Sequence, residues 1–218
     1  MNEKQSSNAI SNAVIRRLPK YLRYLTTLTE QGVERISSQK LSEITGFTAS
    51  QIRQDLNHFG GFGQQGYGYN VQTLHDEIVK IIGLNRIHRV AIAGAGHLGV
   101  ALANSRLFRE NRFHLVAIFD VEPEVVGQDI GGVPVKHIDT LEETIKEERV
   151  DIFTITTPKD VAQDIANRAV NAGVKGIWNY AQVDLKLPKK VVLENVYLNE
   201  SLHSLVYYMG NLKDYKTK

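Results

Sequence analysis

Residues 89–103 read RVAIAGAGHLGVALA: an apolar run, three glycines spaced G-x-G-x-x-G, and a second apolar run. No other stretch leaves the chain so little freedom. The first run predicts a buried strand and the second the opening of a helix. Gly94 permits the tight turn between them, Gly96 lets a ligand pyrophosphate approach the backbone, and Gly99 lets the helix pack on the strand. The N-terminus of that helix then faces the phosphates. Gly94, Ala95, Gly96, His97, Leu98 and Gly99 together form a candidate dinucleotide-binding turn.

The chain around and beyond this turn has the matching rhythm. From Arg89 onward come RVAIAG, a helix through about Glu110, HLVAIFD, a loop rich in Val and Gly, DIFTITT, a helix from about Asp160 to Ala172, and GIWNY. Repeated β-α units at this spacing predict a parallel sheet with helices on both faces, a Rossmann-like doubly wound α/β domain. Asp120 closes the strand after the glycine turn, 21 residues beyond Gly99. A carboxylate there accepts hydrogen bonds from a ribose 2′-OH, whereas a 2′-phosphate would meet a like charge. The expected cofactor is therefore NAD(H) rather than NADP(H). Glu122 could share the role, although a loop acid reads as solvated. Thr157, Pro158, Asn179 and Tyr180, where the later strands end, complete the expected cofactor-binding set. His97 sits beside the turn, directed toward phosphate or solvent, and no catalytic residue is assigned. The other six His form no ligand pattern, so no metal is expected.

The first 84 residues have a different texture. Ile10, Val14, Leu18, Leu22, Leu25 and Leu28 recur at helical spacing, with Pro19 expected to break the run or start a new helix. In ISSQKLSEITGFTASQIRQDLNHFG two short amphipathic segments flank Gly46, with Ser38 the expected N-cap of the first. Thr48 and Gln51 form a capping box for the second. A helix, a glycine turn and a second helix make a helix-turn-helix. Ile52 and Leu56 point inward with Phe59 beyond; Ser50, Arg53, Gln54 and Asn57 share the outer side, and Asp55 lies to the flank. GGFGQQGYGYN comes next, and Gln64 and Gln65 stand where a phosphate-cradling loop would need a Lys-Ser or Lys-Thr pair. A β-hairpin fits instead: a wing, with Phe62, Tyr67 and Tyr69 packing back on the helices. A helix over residues 71–84 then bridges to the second domain. The expected division is a winged-helix DNA-binding domain over 1–84 and a Rossmann domain over 85–218.

Charge and composition agree with that division. Residues 1–70 hold eight Lys and Arg against five acids, an excess that permits a nucleic-acid partner. No apolar run reaches the roughly 20 residues of a membrane span, and MNEKQSSNAI lacks a secretory core, so a cytoplasmic protein is expected. Zero Cys leaves any redox role to a bound cofactor. Only 38 residues follow Tyr180, with no room expected for a dehydrogenase's substrate domain. They end in a helix over about 198–210 with Leu198, Leu202, Leu205, Val206 and Met209 on one apolar side, suited to crossing to a partner in a homodimer. Two other classes stay open: an NAD-dependent dehydrogenase with an unrelated N-terminal module, and a CoA- or nucleotide-binding interaction module.

Over nearly its whole length the chain resembles the Rex family of bacterial redox-sensing transcriptional repressors. The matching segments are RRLPKYLRYL, RISSQKLSEITGFTASQIRQDLNHFGGFGQQGYGYNV, VAIAGAGHLGVAL, IFDVEP and GVKGIWNYA. The resemblance implies a winged helix, a Rossmann domain, a domain-swapped homodimer, binding to double-stranded operator DNA when NAD⁺ dominates, and release when NADH rises. It assigns DNA contacts to Arg16, Arg53 and the wing from Gln64 to Tyr69. Arg17, Ser50, Gln51, Gln54, Asn57, Tyr67 and Tyr69 complete the expected DNA-binding set, and Leu198, Leu202, Leu205 and Met209 the expected dimer contacts. Five positions depart from the family. Gln54 replaces a frequent Lys, Gln64 and Gln65 a frequent basic pair, Gln182 a usual Pro, and Tyr197 an Asp that in many members pairs with an Arg of the DNA-binding half.

Overall fold

Val14, Leu18, Tyr21 and Leu25 recur at helical spacing and all four are buried, on one face of helix α1 (Asn12–Glu30). In the computed structural model, which describes residues 10–60, 63–64, 67–110 and 112–212 (backbone alone at 63–64 and 109–110), α1 runs unbroken through Pro19. The expected break does not occur. Pro19 is exposed, so its ring faces water, and burial of the stripe on the opposite side offsets the roughly 3 kcal/mol that an interior proline costs.

Among the described residues the chain divides into two compact units, 10–85 and 86–212. In the first, a short strand β1 (Arg35–Ile36) precedes α2 (Ser38–Thr45) and α3 (Ala49–Asn57). Ser37, not Ser38, is the N-cap of α2; its hydroxyl accepts from Lys40 N at 3.0 Å. Gly46 ends α2 at φ 74°, a left-handed turn that suits glycine, and the Thr48 hydroxyl caps α3 by accepting from Gln51 N at 3.2 Å. The wing comes after α3 as β2 (Gly63–Gln64) and β3 (Gly68–Asn70), with α4 (Val71–Ile82) behind it in the chain. β3 lies between β1 and β2 in an antiparallel sheet. At Gly68 a Cβ would fall 2.6 Å from the Ile36 carbonyl oxygen, so the approach of wing to β1 requires glycine. Leu18, Tyr21, Leu41, Ile52, Leu56 and Leu74 meet in this unit's core.

The second unit is built on a seven-stranded sheet: β4 (His88–Ala93), β5 (Phe113–Asp120), β6 (Asp129–Ile130), β7 (Val133–His137), β8 (Ile152–Ile155), β9 (Gly176–Asn179) and β10 (Val192–Asn195). The spatial order is β10-β9-β8-β4-β5-β7-β6, parallel throughout except for β6 at one edge. Order reverses beside β4, which makes the carboxyl end of that strand the topological switch point where open α/β sheets bind ligands. The Val- and Gly-rich stretch expected as a loop is the β6–β7 hairpin; β7 pairs with β5 at Ile118↔Val135 and Asp120↔His137. The single helix expected after the glycine turn is two, α5 (His97–Ala103) and α6 (Leu107–Glu110). α7 (Leu141–Glu147) and α8 (Lys159–Asn171) cover one face, packing Leu141, Ile145, Ala162 and Ala166 against Phe119 and Phe153. On the other face, Ala103 of α5 packs with Ile92, Ile118 and Val135.

The last helix, α9 (Leu198–Gly210), buries none of its residues. Leu198, Leu202, Leu205, Val206 and Met209 are 53–67% exposed. Just before it, the Tyr197 hydroxyl donates to Asp184, so the residue that departs from the family's Asp has a partner in its own unit. No helix among the described residues is long and apolar enough to cross a membrane.

Candidate dinucleotide cradle and DNA-reading helix

The glycine turn is held from three sides. Gly94 leaves β4 at φ 98°, and its N–H donates to the Phe119 carbonyl at 2.8 Å. A Cβ on Gly99 would fall 1.8 Å from Gly94 O, whereas one on Gly96 would meet nothing within 4 Å. Gly99 is thus a packing requirement, and Gly96 faces open space, where the backbone needs room for a ligand. The Thr156 hydroxyl lies 2.8 Å from Ala93 O and 2.9 Å from Gly94 O, tying the end of β8 to the turn. Asp120 reaches back from β5: one carboxylate oxygen accepts from Ala95 N at 2.6 Å, and the other from Val121 N at 2.7 Å and Glu122 N at 3.0 Å. Asp120 therefore shapes the cradle as well as facing it. Its oxygens retain lone pairs for a ribose hydroxyl.

A cavity of about 500 Å³ opens here, bordered by Gly94, Gly96, Asp120, Glu122, Thr157 and Pro158. Among the described residues the Thr157 hydroxyl is buried without a hydrogen-bond partner. An orphaned polar atom beside a cavity costs free energy unless a ligand or an ordered water satisfies it. Open space at Gly96, a free helix end and an unsatisfied hydroxyl fit the phosphates and sugars of a dinucleotide. His97 is exposed at the first position of α5, and Ala95 and Leu98 are turned at least partly inward.

One expected cofactor residue needs correction. The Asn179 amide is fully buried and spent on the fold: its nitrogen donates to Val183 O at 2.9 Å and Asn195 Oδ1 at 2.8 Å, and its oxygen accepts from Ala181 N at 3.0 Å. It staples β9 to β10. Tyr180 lies outside the lining of the cavity, its ring edge-on to Trp178 at 4.8 Å between centroids, and burial pushes its phenol pKa up. Thr156, Val161 and Arg168 also border the cavity, and no spacing in the sequence marks any of them.

On α3, Ser50, Arg53, Gln54 and Asn57 are exposed, and Gln51 is half-buried. Arg53 Nη1 donates to Ser38 Oγ at 2.9 Å, which steers the guanidinium along the surface of the helix pair. Arg16 is exposed on α1, and Tyr67 is 70% exposed at the wing. Two expected DNA contacts are instead structural. Tyr69 is 7% exposed, packed into the core because β3 alternates its faces. Arg17 pairs with Asp55, its Nε and Nη2 donating at 2.6 and 2.7 Å, and the Tyr21 hydroxyl donates to the same carboxylate at 2.7 Å. Asp55 is not at the flank of α3 but buried, 2% exposed, where an ion needs partners. The side chains of Gln64 and Gln65 lie outside the described residues. Among the described residues no group of three or more potential metal ligands assembles.

Comparison with known proteins accords with both halves. Residues 85–183 match the family model "CoA binding domain", and residues 9–57 a model for DNA-binding protein N-termini. The chain is 56% identical over 200 residues to the redox-sensing transcriptional repressor Rex of Clostridioides difficile, covering 92% of this chain and 95% of that one. With the Clostridium novyi Rex repressor the identity is 54%, over 92% and 96%. The solved structure of RSP in complex with beta-NAD⁺ and operator DNA superposes at TM-score 0.89 with 50% identity, over 94% of each chain. RSP in complex with beta-NADH gives 0.87 with 47% identity, over 94% of this chain and 96% of that one. A turn, a carboxylate and a reading helix of this geometry, in a chain more than half identical to two such repressors, leave one conclusion: it belongs to the Rex family of redox-sensing transcriptional repressors.

Proposed function

We propose that this protein is a cytoplasmic homodimer that binds operator DNA through α3 and the wing and is released when NADH displaces NAD⁺. The observation that supports this most is the pairing, in one chain, of a dinucleotide cradle containing an orphaned hydroxyl with a helix whose outer side holds Ser50, Arg53, Gln54 and Asn57. Gly94 to Gly99, Thr157 and Pro158 hold the pyrophosphate end, and Asp120 takes the ribose. Those contacts are common to both oxidation states and supply affinity without discrimination. The nicotinamide makes the difference: its oxidised ring is a cation that costs free energy to bury, and its reduced ring is neutral. Tyr180 and Trp178, with the apolar side of a partner's α9, provide surroundings that favour the neutral ring. Such a preference shifts a dimer between two geometries by as much as the affinities differ. Two recognition helices must sit one turn or a multiple apart on the duplex, so a modest rotation releases one half-site. The protein performs no reaction on the coenzyme in this scheme.

Calorimetry with NADH, NAD⁺ and CoA tests the ligand. NADH is expected to bind more tightly than NAD⁺, with no heat from CoA; saturable CoA binding in place of NADH would support the nucleotide-module reading suggested by the "CoA binding domain" match. Arg53→Ala is expected to lower operator affinity about tenfold or more and to leave NADH affinity unchanged. Loss of both would make Arg53 a structural residue.

A further inference from the structure

Among the described residues that border the dinucleotide cavity Arg168 is the single cation, in company with the acids Asp120, Glu122 and Asp164. It stands in the last turn of α8. Its Nη2 donates to the Ile138 carbonyl at 3.0 Å, and Ile138 directly follows His137, the register partner of Asp120 across β5 and β7. The guanidinium is therefore anchored beside the strand end whose carboxylate faces the ribose. An arginine in that neighbourhood is what accommodates the 2′-phosphate of NADP(H) in related folds.

Here the arginine is already engaged. Nε donates to Glu142 Oε1 at 2.6 Å and Nη2 to Oε2 at 2.8 Å. This Nε–Nη2 edge is one that grips a phosphate bidentately. Glu142 comes from the first turn of α7, outside the cavity lining. The Arg168 guanidinium holds its carboxyl down at about 2, so the pair stays ionised through neutral pH.

We propose that Glu142 is a specificity-determining residue: by occupying the Nε–Nη2 edge of Arg168 it withholds the cavity's cation from a 2′-phosphate and so excludes NADP(H) in favour of NAD(H). Asp120 repels the phosphate directly, and Glu142 removes the group that would compensate. The inference rests on reading the cavity as an NAD(H) site. A pair that served only to dock α7 on α8 would not affect the choice between the two coenzymes.

The test is calorimetry of NADH and NADPH on full-length wild type, Glu142→Gln, Glu142→Ala and the double variant Glu142→Ala/Arg168→Met. Affinity for NADPH relative to NADH should rise about tenfold in Glu142→Ala, the worth of one charge-assisted contact. The rise should be smaller in Glu142→Gln, which still accepts one hydrogen bond, and should vanish in the double variant. An unchanged ratio in Glu142→Ala, or a rise that survives removal of Arg168, overturns the proposal. Should Glu142→Ala fail to fold, the near-isosteric Glu142→Gln decides, an unchanged ratio again counting against it. Wild type that binds no NADH at all would instead overturn the dinucleotide reading itself, and this inference with it.

Discussion

Replacing Asp55 by Ala is expected to destabilise the N-terminal unit by about 3 kcal/mol, the low end for removing one partner of a buried ion pair. Asp55 is the point where α3 is fastened to α1: Arg17 and Tyr21, one turn apart on α1, both donate to its carboxylate. Without it, Tyr21, fully buried and edge-on to Phe47 at 5.4 Å, loses its hydroxyl's acceptor. Arg17 loses its counter-charge, but at 18% side-chain exposure it can turn toward water, which limits the cost. Burial and the bond to Asp55 push the Tyr21 phenol pKa far above its ordinary value, so the hydroxyl stays a donor at neutral pH. Urea denaturation of the variant should show a reduced midpoint for the N-terminal unit. Operator affinity should fall while NADH affinity holds. Unchanged stability would mean that the three groups do not act as a unit.

Gly99→Ala should cut dinucleotide affinity about tenfold or more, because forcing a methyl into a closed contact costs about 1–3 kcal/mol and each 1.4 kcal/mol is about tenfold. The new methyl would fall 1.8 Å from the Gly94 carbonyl oxygen, a backbone atom in a turn fixed by the Phe119 carbonyl and Thr156. α5 must then retreat, taking with it the N-terminus that faces the phosphates. Operator binding without coenzyme should survive, because Gly99 belongs to the other unit. A variant that binds DNA normally and ignores NADH is the expected phenotype; near-normal NADH binding would show the turn to be far softer than its contacts imply.

Gly94, Gly96 and Gly99 are legible in the sequence because one local spacing, strand to turn to helix, dictates all three, and Thr48 is legible because a cap is a three-residue matter. Asp55 is not. Its partner Arg17 is 38 positions away, and an acid on an amphipathic helix reads as solvated until the neighbouring helix is in place. Asn179 and the pair Arg168–Glu142 are hidden for the same reason, being polar groups whose partners come from other elements. Tyr69 is partly readable: in Gly68–Asn70 the side chains alternate, and the pairing of β3 with β1 decides which one turns inward. Pro19 shows the opposite limit, a strong local breaker overruled by a buried stripe on the far side of the helix.

In the proposed function, one unit of ring charge on the coenzyme is converted into the hold on DNA. Fluorescence anisotropy of a labelled operator fragment, titrated with protein at fixed salt and saturating NADH or NAD⁺, measures this directly. With allosteric couplings typically worth about 1–3 kcal/mol, operator affinity should be at least about fivefold weaker with NADH than with NAD⁺. Equal affinities with both coenzymes bound would contradict the account.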